Sequence, residues 1–80
     1  MSTAEQVLNV LSTVVESDEV VRNPDLPLYD LQLLDSLKTV ELIVSLAERF
    51  QVDISPAEVE RQQWATPRKI IAYMEQRLAA

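Results

Sequence analysis

No glycine, cysteine or histidine occurs among the 80 residues of this chain, and each absence removes whole classes of function. Lacking cysteine, it has no disulfide framework, thiolate nucleophile, Cys-ligated zinc or iron–sulfur cluster; lacking histidine, it has no imidazole base and no imidazole metal ligand. Lacking glycine, it cannot build a Walker loop, a dinucleotide-binding turn, an EF-hand or a nucleophile elbow, each of which needs a backbone position that tolerates positive φ or close approach of a ligand. These absences point away from an enzyme working alone. Positive charge is also scarce: seven Lys and Arg stand against thirteen Asp and Glu, a formal charge of −6. Nucleic acid demands a basic face and anionic lipid repels an acidic chain, so neither suits it as a partner. No apolar run reaches the roughly 18 residues of a membrane span, and residues 1–5 lack the basic start and apolar stretch of a signal peptide. A soluble, cytoplasmic chain without membrane insertion is expected.

What is present suffices for one small domain over residues 1–80. A chain this short buries only about 60–65% of its unfolded surface, so most of its apolar residues must serve a thin core. Val7, Val10, Leu11 and Val14, widened by Leu8 and Val15, recur with the period of an amphipathic helix over residues 3–16. Ser2 with Glu5, or Thr3 with Gln6, offers a reciprocal capping box at its start. A second helix is predicted over residues 36–50, where Val40, Ile43, Val44 and Ala47 repeat, flanked by Leu37, Leu42, Leu46 and Phe50. Its apolar arc is wider than one core stripe needs. A central, buried helix is the first expectation, and exposure of some of Leu37, Val40 and Leu42 the second. Ser55-Pro56-Ala57-Glu58 predicts a short third helix to about residue 61, and Thr66-Pro67 opens a fourth with Ile70, Ile71, Met74 and Leu78 on its core face. Trp64 reads as an apolar plug between these last two. No strand-like alternation occurs.

Between the first two helices lie about 19 residues, 17–35, interrupted by Pro24 and Pro27. Connections of that length are uncommon in small domains. Leu26, Leu28, Leu31, Leu33 and Leu34 can fold back as a lid over the helices, with a turn around Tyr29 to Leu31. Without glycine, helix ends fall to residues such as Ser17, Gln51 or Asp53, with some fraying expected. The architecture is all-α: three longer helices, one short helix III, and a long crossing loop.

Charge is unevenly placed. Residues 16–41 hold seven carboxylates against Arg22 and Lys38, while residues 61–80 hold four cations against Glu75. Such runs are commonly solvated faces, and an acidic one also suits docking of basic partners. Ser36 sits where the acidic stretch meets the second helix. There Asp35 or Ser36 serves as N-cap, and a hydroxyl at a helix start is well placed to carry a phosphodiester, which free amides and the helix dipole favour. As a catalytic nucleophile Ser36 fails: no histidine is available as base, and Lys38, two residues along a helix, points elsewhere. Carboxylate pairs such as Glu58 and Glu60, or Asp18 and Glu19, lack the spacing of a metal loop.

Leu34-Asp35-Ser36-Leu37, followed by Thr39-Val40-Glu41-Leu42, resembles the attachment motif of acyl and peptidyl carrier proteins. Within that superfamily the chain is most similar to the D-alanyl carrier family, which serves the esterification of teichoic acids with D-alanine. The similarity runs through Val21-Arg22-Asn23-Pro24-Asp25, Leu33-Leu34-Asp35-Ser36 and Trp64-Ala65-Thr66-Pro67-Arg68-Lys69-Ile70. The resemblance implies an acyl-carrier-like four-helix bundle, monomeric and without a catalytic centre. It implies 4′-phosphopantetheine donated by coenzyme A to Ser36, and D-alanine held on the arm as a thioester in the service of cell-envelope teichoic acid. The implied partners are a phosphopantetheinyl transferase, an adenylating D-alanine ligase and a membrane-bound O-acyltransferase, with Asp35 beside the arm and Leu37, Val40 and Glu41 as partner contacts. Alternatives are a carrier of another cargo, or an unmodified acidic helical module that binds a basic protein. Two positions depart from the family. Gln32 stands where glycine commonly precedes the Leu-Leu pair, which predicts a different path into the second helix. Leu37 replaces the Phe or Met frequent in D-alanyl carriers and matches fatty-acyl carriers.

Overall fold

In the computed structural model, which describes residues 2–79, the first helix, α1, spans Thr3–Val15. Of the two capping boxes available, Ser2 and Glu5 form theirs: the Glu5 amide donates to the Ser2 hydroxyl at 3.1 Å, and the Ser2 amide to the Glu5 carboxylate at 3.4 Å. A one-turn helix, α2 (Glu19–Arg22), follows, then α3 (Ser36–Phe50) and α4 (Pro67–Ala79). Among the described residues there is no strand. The all-helical bundle agrees with the sequence. The short helix, however, lies inside the long loop, not at residues 55–61, where there are instead two 3-10 turns, Pro56–Glu58 and Arg61–Trp64. Between them Val59 takes extended backbone, φ −99° and ψ 121°, and packs its side chain against the core. That excursion interrupts any continuous helix from Pro56 to Trp64.

Val7, Leu11 and Val15 of α1 meet Leu42, Ile43 and Leu46 of α3 and Ile70 and Met74 of α4 in one buried cluster. Trp64 is fully buried, its ring edge-on to Tyr73 at 5.6 Å between centroids, and it plugs the corner as expected. Helix α3 corrects the central-helix expectation. Leu42 is buried, but Leu37, Val40 and Val44 are 69%, 43% and 49% exposed. The physical reason is angular: residues 37, 40 and 44 lie on the opposite side of the helix from 42, 43 and 46, and only the latter side meets the buried cluster.

Both helix ends adjoining the loops close without glycine. Glu16 (φ 57°) and Gln51 (φ 55°) take the left-handed conformation, and the Ser17 and Val52 amides reach back to the Ser12 and Ala47 carbonyls. Glu16, not Ser17, is thus the turning residue after α1; Gln51, not Asp53, serves α3. The long loop buries Leu26, Leu28 and Leu34, while Leu31 is 51% exposed and leaves the predicted lid. It is stitched to the start of α4 by two backbone bonds, Leu28 amide to Ala65 carbonyl and Arg68 amide to Pro24 carbonyl, each 2.9 Å. A bidentate Arg68–Asp25 fork of 2.9 and 3.2 Å reinforces them. That pairing offsets the unfavourable position of a cation in the first turn of α4.

Candidate functional site

The start of α3 is built by the turn that precedes it. The Leu33 amide donates to the Leu28 carbonyl at 2.9 Å and the Gln32 amide to the Tyr29 carbonyl at 3.1 Å, a closed turn in which Gln32 is left-handed, φ 60°. This is the conformation that glycine adopts without a Cβ clash, which gives the departure at Gln32 its physical meaning. The turn directs Leu34 into the core and brings Tyr29 over the first turn of α3. Thr39 Oγ1 donates to the Asp35 carbonyl at 2.6 Å and so spends its only hydrogen. The Tyr29 hydroxyl, 2.7 Å from Thr39 Oγ1, must therefore be the donor there.

Asp35 is the N-cap, in extended backbone, its Oδ1 accepting from the Lys38 amide at 2.8 Å. Ser36 is the first helical residue and is exposed. Its Oγ accepts from Arg61 Nη2 at 3.5 Å, and the Arg61 guanidinium lies 4.9 Å from the centre of the Tyr29 ring. Lys38 turns away, its ammonium donating to the Val14 carbonyl at 3.1 Å, where it supplies the cation that the last turn of α1 lacks. The amides of Ser36 and Leu37 have no partner among the described residues. The hydroxyl is thus open to an incoming group and bordered by donors, an arrangement suited to an anionic ester and not to self-activated attack.

Leu37, Val40 and Glu41 run away from Ser36 along the exposed side of α3, Asp35 standing just before it. Shallow grooves flank this side, one toward α1 lined by Val14, Val40 and Val44, the other toward the 3-10 turns lined by Val44, Ile54 and Pro56. All five residues expected at the site therefore occur at one end or along one exposed side of a single helix.

Comparison with known proteins decides what this arrangement belongs to. The phosphopantetheine attachment-site family matches residues 5–74. D-alanyl carrier proteins of Listeria monocytogenes serotype 4a, Listeria innocua serovar 6a and Listeria welshimeri serovar 6b are 41%, 40% and 39% identical over 75 residues, 94% of this chain and 96% of each relative. The chain belongs to the D-alanyl carrier family. Its prosthetic group is covalently bound 4′-phosphopantetheine. No helix among the described residues of this carrier is long and apolar enough to cross a membrane.

Three residues that the sequence reading did not assign to the site border it: Tyr29, Thr39 and Arg61. Charge held a trace of Arg61 only, because the basic C-terminal stretch needed somewhere to meet the acidic loop. In the carrier the two meet twice, through Arg68 at Asp25 and Arg61 at Ser36.

Proposed function

We propose that Ser36 bears the 4′-phosphopantetheine arm and that the arm carries D-alanine to teichoic acid of the cell envelope. The exposed Ser36 hydroxyl at the N-terminus of α3, in its Leu-Leu-Asp-Ser context, carries the proposal. In the transfer, Ser36 Oγ bonds to the phosphorus next to pantetheine in coenzyme A, the pyrophosphate bond breaks, and adenosine 3′,5′-bisphosphate leaves as the hydroxyl proton is lost. The base for that proton belongs to the transferase, since Arg61 beside Ser36 is a donor. The arm supplies the thiol on which the aminoacyl group rides.

The chain's own part is presentation. Asp35 fixes the helix start, and the half-buried Lys38 holds α3 against α1. Leu37, Val40 and Glu41 form the surface that a transferase, an adenylating D-alanine ligase and a membrane-bound O-acyltransferase meet in turn. D-alanine as cargo is supported by the names of the relatives. The carrier is then a monomeric domain over residues 1–80, without a catalytic centre, working in the cytoplasm where coenzyme A is available.

The test is stepwise intact-mass analysis. With transferase and coenzyme A the wild-type chain gains one phosphopantetheine. Ligase, ATP and D-alanine then add one alanyl group that hydroxylamine removes. Ser36→Ala stays at its starting mass throughout. A wild-type chain that gains no arm, or a Ser36→Ala chain that does, refutes the assignment.

A further inference from the structure

Arg61 is set apart from the other cations by its place beside Ser36. Arg22 and Arg68 pair with Asp18 and Asp25, Arg49 donates to Gln6, and Arg77 and Lys38 donate to the Asp53 and Val14 carbonyls. Arg61 shares with Lys38, Arg49, Lys69 and Arg77 the want of a carboxylate partner among the described residues, but of these it is the one that reaches Ser36. Its guanidinium is laid instead over the Tyr29 ring, at 4.9 Å, with one donor directed to Ser36 Oγ at the long limit of a hydrogen bond, 3.5 Å. Four further N–H donors on the same fork have no assigned acceptor.

We infer that Arg61, stacked on Tyr29, is the clamp for the phosphodiester on Ser36 and thereby positions the root of the prosthetic arm. The inference rests on Ser36 being the attachment residue. A phosphate ester on Oγ puts two non-bridging oxygens beside a guanidinium whose planar fork matches them, the geometry at which Arg excels and Lys does not. Electrostatics demand such a cation. The ester adds a negative charge to a stretch, residues 16–41, that already holds seven carboxylates against two cations. Both of those cations are spent elsewhere, Arg22 on Asp18 and Lys38 on Val14. The unpartnered Ser36 and Leu37 amides supply dipolar donors next to Ser36, and Arg61 supplies the full charge.

Preorganisation makes the contact effective. The Tyr29 ring is held through its hydroxyl by Thr39 and through its backbone by the Gln32 turn, so the stacked guanidinium has a fixed support before any phosphate arrives. Arg61 itself sits at the first residue of a 3-10 turn whose preceding Glu60 amide is capped by the Gln63 side chain at 3.1 Å.

Phosphorus-31 NMR of the holo chain tests the clamp, with intact mass run on every sample. Wild-type, Arg61→Gln and Arg61→Lys chains are converted by transferase and coenzyme A, and a short phosphopantetheinylated peptide around Ser36 serves as the unclamped reference. The wild-type resonance is expected to be displaced from the peptide value and to move toward it as salt is raised. Arg61→Gln should sit at the peptide value at all salt concentrations, Arg61→Lys between the two, and a rise in Tm from apo to holo is expected in wild type and should be lost in Arg61→Gln. Full mass gain with identical resonances and identical apo-to-holo Tm changes in wild type and Arg61→Gln overturns the clamp alone. A wild-type chain without mass gain overturns the Ser36 assignment and the clamp with it. The salt titration of wild type needs no substitution, so a variant that folds poorly does not remove the test.

Discussion

A residue's conformational cost is most visible here where glycine is absent. Glu16, Gln32 and Gln51 all occupy the left-handed region, which costs an L-residue with a Cβ roughly 1–2 kcal/mol. Glycine at Gln32 would remove that clash but add entropy to the unfolded chain, so Gln32→Gly is expected to stabilise by about 0.5–1 kcal/mol. Chemical denaturation should show a higher midpoint with an unchanged slope, and a lowered midpoint would contradict the assignment of strain. At this scale the sequence revealed that helix ends must close without glycine. It did not reveal that Glu16, not Ser17, would turn, because the turning residue is set by where the last main-chain bond forms. Ser36 and Asp35 were legible because a cap is a local pattern. Tyr29 and Arg61 were not, since their meeting depends on the three-dimensional course of the loop and of two 3-10 turns.

Elements are held to one another by a few specific ties, of which the loop-to-α4 tie is the most exposed to pH. Arg68, by donating two hydrogen bonds to the Asp25 carboxylate, holds its pKa below the ordinary value of about 3.9. A carboxyl depressed in the folded state contributes its stabilisation fully above the unfolded pKa and loses it as pH falls through the folded one. Wild type should therefore lose stability from about pH 4 downward more steeply than Asp25→Asn, and the two should converge in strong acid. Thermal melts at a series of pH values read this, and parallel curves would show that the fork adds nothing. α1, α3 and α4 were legible from apolar period, and the loop's return to the core from Leu26, Leu28 and Leu34. The short helix was misplaced because capping signals at Ser55-Pro56 mark a start but not a length, and Val59 leaves helical backbone to reach the core. Periodicity also could not choose between the two apolar sides of α3, a choice made only when the buried cluster forms against one of them.

Across the whole molecule, the core lies on one side of α3, and the proposed docking surface is the other, exposed side. Leu42→Ala should cost about 2–5 kcal/mol because Leu42 is fully buried, whereas Leu37→Ala should change stability by less than about 0.5 kcal/mol. Glu41→Lys, exposed on the same side as Leu37, should leave circular dichroism intact yet slow loading by the ligase at low salt, with the difference shrinking as salt rises. Unchanged kinetics at low salt would move the docking surface off α3. The absence of cysteine fits a carrier whose thiol comes with its prosthetic arm. The central claim, that Ser36 is the residue modified, is met most directly by peptide-resolved mass spectrometry of the protein purified from its own cells. A population bearing phosphopantetheine on the peptide containing Ser36, localised to that hydroxyl, is the predicted result; a chain modified at another residue, or wholly unmodified, would contradict it.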